Sequence, residues 1–264
     1  MHLAHQQLFS HLDDNGAIVV IQTTYANLSP FRNRADHSSY PLFFYPLEDI
    51  KHLGGKEFIS LLKEEFPNLK KIVVGYDFHF GYKAAYGIAD LKALFNGDVT
   101  VVSEFKIDNI AVHSRVIREY LRDDKLELAN KLLGYDYKLN GISIRGQGLG
   151  SKQFVPTINI DVKNFLIPSS GIYITKTILQ KKSFNSVSFV GHRVTTDGKF
   201  ALETHILEDS FGEEVPANIT VQFIKKIRDN KKFEQYEDLK MQILEDIEES
   251  KNWFKNKEEN NEKC

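Results

Sequence analysis

The sequence predicts an α/β half followed by an all-β half, and three observations carry this. Between Gly16 and Leu133 short apolar runs alternate with helical stripes, the signature of a parallel, doubly wound sheet. After Tyr135, six strand-like runs follow one another with turn signals between them, which favours a small antiparallel barrel. A single amphipathic helix then closes the pattern.

In order, GAIVVIQT (16–23) is an apolar run suited to a buried strand. Residues 56–66 carry Phe58, Leu61, Leu62 and Phe66 at helical spacing. KKIVVGYDF (70–78) is the next strand, residues 88–95 the next helix, and DVTVVSEF (98–105) a third strand. Ser114 can cap a helix running to about Arg122. A further helix from Lys125 to Leu133 is stopped by Gly134. The strand runs of the second half are YKLNGISI, VPTINIDV, GIYITKTIL, FNSVSFVG, FALETHIL and NITVQFI. The last helix, 237–254, carries Leu239, Ile243, Leu244 and Ile247 on one side. The halves are expected to meet near Gly134–Lys138, giving domains of 1–134 and 135–254. The polar tail 255–264 is expected to be disordered.

At 264 residues the chain has room for two ordinary domains. Its 42% hydrophobic and 27% charged residues are those of a globular protein, and no apolar run approaches a membrane span. A net charge of −2 with no basic block gives no sign of a nucleic-acid partner. Residues 1–20 lack a secretory pattern, and the lone Cys264 excludes an intrachain disulfide, so a cytoplasmic location is expected.

Several stretches bear chemistry. RGQGLGSKQFVPTINI (145–160) has glycines at 146, 148 and 150, where backbone N–H groups can approach phosphate oxygens closely. In the strand that follows, period two puts Thr157 and Asn159 on one face, a hydroxyl and an amide suited to a hard cation. Taken alone, this is an ordinary Gly-rich turn before a strand. His2 and His5 share one side of a helix; they suit phosphate oxygens or a metal, or are simply surface residues. GYDFHFG (75–81) sets Asp77 among aromatics such as Phe78, either a wall for a flat heterocycle or core plus turn. Arg118, in the helix opened by Ser114, can clamp a phosphate or lie solvated. Glu203 stands in the otherwise apolar FALETHIL. It is either a general base or an edge-strand carboxylate facing water. Arg193, in VGHR, precedes it and can neutralise phosphate charge.

The order GQGLG…PTIN, GIY (171–173), VGHR (190–193), ETHIL and IRDNKKF (227–233) resembles the riboflavin kinase module of bacterial bifunctional riboflavin kinase/FAD synthetase. HLAHQ, VGYDFHFG and VHSRVIR resemble that family's N-terminal motifs, so the similarity runs over roughly residues 1–254. The resemblance implies a Rossmann-like nucleotidylyltransferase (FMN adenylyltransferase) domain and then a riboflavin kinase barrel. The barrel would phosphorylate riboflavin to FMN with Mg-ATP, and the first domain would adenylylate FMN to FAD. By motif match, Gly146, Gly148 and Gly150 cover the nucleotide phosphates, Thr157 and Asn159 hold Mg²⁺, and Glu203 is the base. Arg193 and Ser114 are assigned to phosphate or nucleotide, and Asp77, Phe78 and Arg228 to flavin. His2, His5 and Arg118 are assigned to adenylyl transfer. The implied partners are ATP, riboflavin and FMN, with no nucleic acid and no membrane, and a weak homo-oligomer is left open.

Departures fall mainly in the first half. The family's opening strand and G-x-FDG turn would precede Met1, so a later-than-true start is expected, with a central parallel strand missing and two strand edges open. Ala4 replaces the glycine of the histidine motif, His113 and Arg115 replace a serine and a threonine, and 23–30 lacks the usual TF-x-PHP pattern. In the second half Ser151, Phe154-Val155 and Asp229-Asn230 depart from the family, while Thr157, Asn159 and Glu203 are kept. Kinase activity is therefore the firmer expectation, with a kinase bearing a degenerate first domain and a non-catalytic flavin binder as alternatives.

Overall fold

A computed structural model describes residues 1–23, 27–144, 155–195, 197–208 and 215–261. Residue contacts divide the chain into two units, Met1–Val116 and Ile117–Cys264.

In the first unit, β1 (Ile18–Gln22) pairs in parallel with β2 (Leu42–Pro46), and β3 (Lys71–Gly75) in parallel with β4 (Asp98–Val102). The parallel strands follow the expected pattern, but they form two separate two-stranded sheets rather than one wound sheet. Among the described residues β1 has no partner besides β2, and β3 none besides β4. The two pairs nevertheless share a core. Val19, Ile21, Tyr45, Ile72, Val99 and Val101 pack on the cluster built by α3 (Gly55–Glu65) and α4 (Ile88–Leu94). On the opposite face Ile18 and Val20 pack on Phe9 of α1 (Leu3–Phe9). A one-turn α2 (Leu47–Ile50) and a short antiparallel pair, β5 (Lys106–Ile107) and β6 (Ile110–Ala111), complete the unit. Strand β2 was not foreseen. Its pattern LFFYP carries three consecutive apolar residues before a proline and lacks a clean alternation.

The second unit is a closed barrel in the order β10-β11-β8-β7-β12-β9. Its strands are β7 (Tyr137–Ile144), β8 (Ile158–Asp161), β9 (Gly171–Leu179), β10 (Lys182–His192), β11 (Phe200–Ile206) and β12 (Asn218–Arg228). All six runs read from the sequence appear, and every pairing is antiparallel. Helix α5 (Ser114–Arg122) ends ahead of α6 (Leu126–Leu133), which Gly134 terminates at φ 81°, a backbone state that favours glycine. Helix α6 belongs with the barrel. Buried Asn130 donates from Nδ2 to the Phe223 carbonyl (2.9 Å) and accepts from the Tyr137 N–H (2.9 Å). That tie puts the contact division ahead of the 134/135 position expected from sequence.

Helix α7 (Tyr236–Asn261) lies along the outside of the barrel. Its Ile247 and Phe254 join Ile172, Ile174, Val187 and Ile224 in one buried cluster, with Ile243 and Trp253 beside them. Leu244, expected on the same stripe, is instead exposed, because one residue beyond Ile243 turns about 100° away. The tail expected to be disordered from residue 255 continues as helix to Asn261. Its Lys, Glu and Asn residues tolerate helix, and Lys257 sits over the Trp253 ring at 4.8 Å.

Candidate active site

Strands β10 and β11 form a hairpin whose turn, 193–199, carries Arg193. The chain enters the turn through Gly191, at φ 141°, where a Cβ would meet the Ser170 side chain at 3.0 Å. The turn is held from several sides. Arg193 N–H donates to the Lys199 carbonyl (3.0 Å), and Lys199 N–H to Asp197 Oδ1 (3.1 Å). Asn230 Nδ2 donates to the His192 carbonyl at 2.6 Å, so one of the two residues in the departing Asp229-Asn230 pair has a defined role in this chain.

Strand register brings the candidate groups together. Glu203 of β11 lies opposite Asn159 of β8. Arg193 bridges them: Nε donates to Glu203 Oε1 at 2.7 Å, and Nη2 reaches Glu203 Oε1 at 2.6 Å and Asn159 Oδ1 at 2.7 Å. Nη1 lies 3.4 Å from Asp197 Oδ2. The Arg193 and Glu203 side chains are 18% and 22% exposed, buried enough for the charge to count and open enough for a ligand to reach them. Thr157 immediately precedes β8 and is partly buried. The backbone just ahead of it is fixed by His205, whose Nδ1 is 2.8 Å from the Pro156 carbonyl.

The donor set suits a hard cation. Thr157 and Asn159 offer neutral oxygens, and the Asn159 oxygen already faces the positive guanidinium of Arg193. Among the described residues no group of three or more His, Cys, Asp or Glu is arranged to hold a metal. A cation held by Asn159 Oδ1 would compete with the Arg193 guanidinium, which engages the same oxygen at 2.7 Å. Neither this bridge nor a role for Asp197 is readable from residue order, where Asp197 and Gly198 mark only a turn between strands. The one available signal is the i, i+4 spacing of Arg193 and Asp197.

The remaining candidates stand elsewhere. Gly146, Gly148 and Gly150 lie outside the described residues. Arg228 is engaged with α7: Nε and Nη2 donate to the two oxygens of buried Asp246 at 2.8 and 2.7 Å. Arg118 lies in α5, partly buried, and burial first and Arg122 second pull its guanidinium below the ordinary arginine value. In the first unit, Ser114 is the first residue of α5. Phe78 packs on the shared core and stacks on Phe80 at 5.6 Å, while Asp77 is exposed in the turn after β3. His2 is buried and precedes α1, its ring stacked on His5 at 3.8 Å between centroids. His2 N–H donates to His5 Nδ1 at 3.3 Å. Burial, the nearby α-amine and Arg34 lower the His5 pKa to about 4. At neutral pH His5 is thus uncharged and can meet a phosphate only as a hydrogen-bond donor from Nε2.

Comparison with known proteins adds identity to this geometry. Residues 133–254 match the flavokinase (riboflavin kinase) family model. The bifunctional riboflavin kinase/FMN adenylyltransferase of Haemophilus influenzae is 35% identical over 193 residues, 71% of this chain and 62% of that protein. Its namesake in Buchnera aphidicola subsp. Schizaphis graminum is 32% identical over 217 residues, 78% of this chain and 69% of that protein. A crystal structure of a Streptococcus pneumoniae protein named for macrolide efflux overlays with a TM-score of 0.81 at 26% identity, covering 96% of this chain and 90% of that one. In the described residues no helix is long and apolar enough to cross a membrane. The match to the Haemophilus protein spans less than two thirds of that relative's length. With the barrel topology and the motif order in agreement, the chain belongs to the bifunctional riboflavin kinase/FMN adenylyltransferase family.

Proposed function

We propose that the barrel unit phosphorylates riboflavin to FMN with Mg-ATP. The observation that carries the reading is the Glu203–Arg193–Asn159 constellation, three polar groups from three separate segments converging on one face of the barrel. Residues 135–254 are assigned to this kinase, and 1–134 to a nucleotidylyltransferase-like domain. Glu203 takes the proton of the ribityl 5′-hydroxyl as that oxygen bonds to the γ-phosphorus and the bond to ADP breaks. Arg193, once off Glu203 Oε1, turns its positive charge toward the transferring phosphate. Thr157 and Asn159 would hold Mg²⁺, which when bound neutralises phosphate charge. Gly146, Gly148 and Gly150 are assigned to the nucleotide phosphates. A cytoplasmic location is assigned with this reading.

For residues 1–134 the reading is adenylyl transfer from ATP to FMN, giving FAD and pyrophosphate. His2, His5 and Arg118 are assigned to the phosphates, Ser114 to the nucleotide, and the Asp77-Phe78 segment to flavin. A second reading, a kinase with a structural first unit, is favoured by one observation: the two parallel strand pairs there are not joined into one sheet. Incubation with riboflavin and Mg-ATP, followed by chromatography, tests both. FMN alone supports the second reading, FMN followed by FAD and pyrophosphate supports the first, and no FMN refutes the kinase.

A further inference from the structure

We propose that Thr204 is a positioning residue for Glu203, acting through a closed ring of five buried hydroxyls inside the barrel. The ring joins Thr175 and Thr177 of β9, Ser186 and Ser188 of β10, and Thr204 of β11, all fully buried. Its O···O distances are 2.8 Å for Thr175–Ser186, 2.9 Å for Ser186–Thr177 and 2.8 Å for Thr177–Thr204. Thr204–Ser188 at 2.9 Å and Ser188–Thr175 at 2.7 Å close it. Each oxygen meets two others, and each hydroxyl has one proton to give. One circulating direction, with Thr177 donating to Ser186 and Ser188 donating to Thr204, therefore satisfies every member.

Such a ring is stringent in a way that an apolar filling is not. Apolar contacts are non-directional and tolerate small shifts, whereas removing one hydroxyl strands a donor and an acceptor where no water reaches. The ring matters for the site because of how β11 is held. Strand β11 meets β8 through two residue pairs, Glu203 with Asn159 and Thr204 with Ile158. That short seam is where the proposed base faces the proposed metal ligand. Thr204 also reaches past β10 to Thr177 on β9, which is not a sheet neighbour of β11. The ring thus fixes β11 from inside, with Thr204 inward and Glu203 outward. A slip of one residue would put the Glu203 carboxylate in place of the Thr204 hydroxyl.

This inference rests on Glu203 being the base, and the experiment separates the two failures. Thr204→Val keeps the shape and removes the hydroxyl, Thr204→Ser restores it, and Ser186→Ala breaks ring bonds that run to β9 alone. In the full chain, Thr204→Val is expected to lower kcat for FMN formation about ten- to a hundredfold, with KM for riboflavin within about threefold of the parent. Thr204→Ser is expected to recover kcat. Ser186→Ala is expected to lower the melting temperature as much as Thr204→Val does, yet keep kcat within about threefold of the parent. Should Thr204→Val not fold, Ser188→Ala, which also removes a partner of Thr204, takes its place with the same split expected. A kcat that falls in step with melting temperature in every variant, or a Thr204→Val enzyme that turns over like the parent, overturns the proposal. Absence of FMN formation by the parent chain instead refutes the kinase reading, and full turnover by Glu203→Gln refutes the assignment of Glu203 as the base on which this inference rests.

Discussion

The two units handle strand edges in opposite ways. The barrel closes six strands on themselves, so every edge is paired, and α7 covers part of its outer wall. In the first unit four parallel strands form two separate pairs held by a shared apolar core. Closure gives the barrel a fixed frame, and its candidate site is correspondingly tight, with polar contacts of 2.6–2.7 Å among Arg193, Glu203 and Asn159. In the first unit the described candidates are instead a stacked histidine pair, an exposed Asp77 and a Phe78 packed on core. A site that must hold three groups in register is easier to build on a closed sheet than on open pairs.

The largest stability effect should appear on the barrel side. Arg228→Ala leaves the buried Asp246 carboxylate without its forked partner, so urea unfolding of the barrel is expected to lose about 3 kcal/mol. KM for riboflavin is expected to change little; a large rise in KM without loss of stability would restore Arg228 to the flavin. Acid tests the other unit. The folded His5 pKa, about 4, lies below its unfolded value of about 6.5, so the unfolded chain binds the proton more readily between them. Stability from this residue is present above pH 6.5 and declines as pH falls toward 4. By pH 5 the first unit is expected to lose about 2 kcal/mol, and His5→Phe is expected to flatten that slope in a denaturant-by-pH series. The smallest effect is local. Gly134→Ala, at φ 81°, is expected to cost about 1 kcal/mol through strain at the end of α6, read from the barrel's unfolding midpoint.

What was legible follows the same division. The six barrel strands and the Gly134 stop were readable because alternation and a helix terminator are local signals. Period two likewise put Asn159 in a strand, while Thr157, expected on the same face, lies just ahead of β8. The interior of the barrel was not readable. Their polarity suggests that Thr175, Thr177, Ser186 and Ser188 face solvent, whereas they point inward with Thr204 and bond to one another, while Ile172, Ile174 and Val187 point outward beneath α7. The reversal depends on the covering helix, which lies more than forty residues away in sequence. The Arg193 bridge was hidden for the same reason, since Asn159 precedes it by 34 residues and Glu203 follows it by 10. In the first unit β2 was missed because LFFYP does not alternate.

Comparison of Glu203→Gln with the parent chain tests the central claim most directly. Both would be given riboflavin and Mg-ATP, with riboflavin binding followed by its fluorescence and FMN formation by chromatography. The variant is expected to bind riboflavin about as well as the parent while its FMN formation falls about a thousandfold. Undiminished FMN formation by the variant would contradict it.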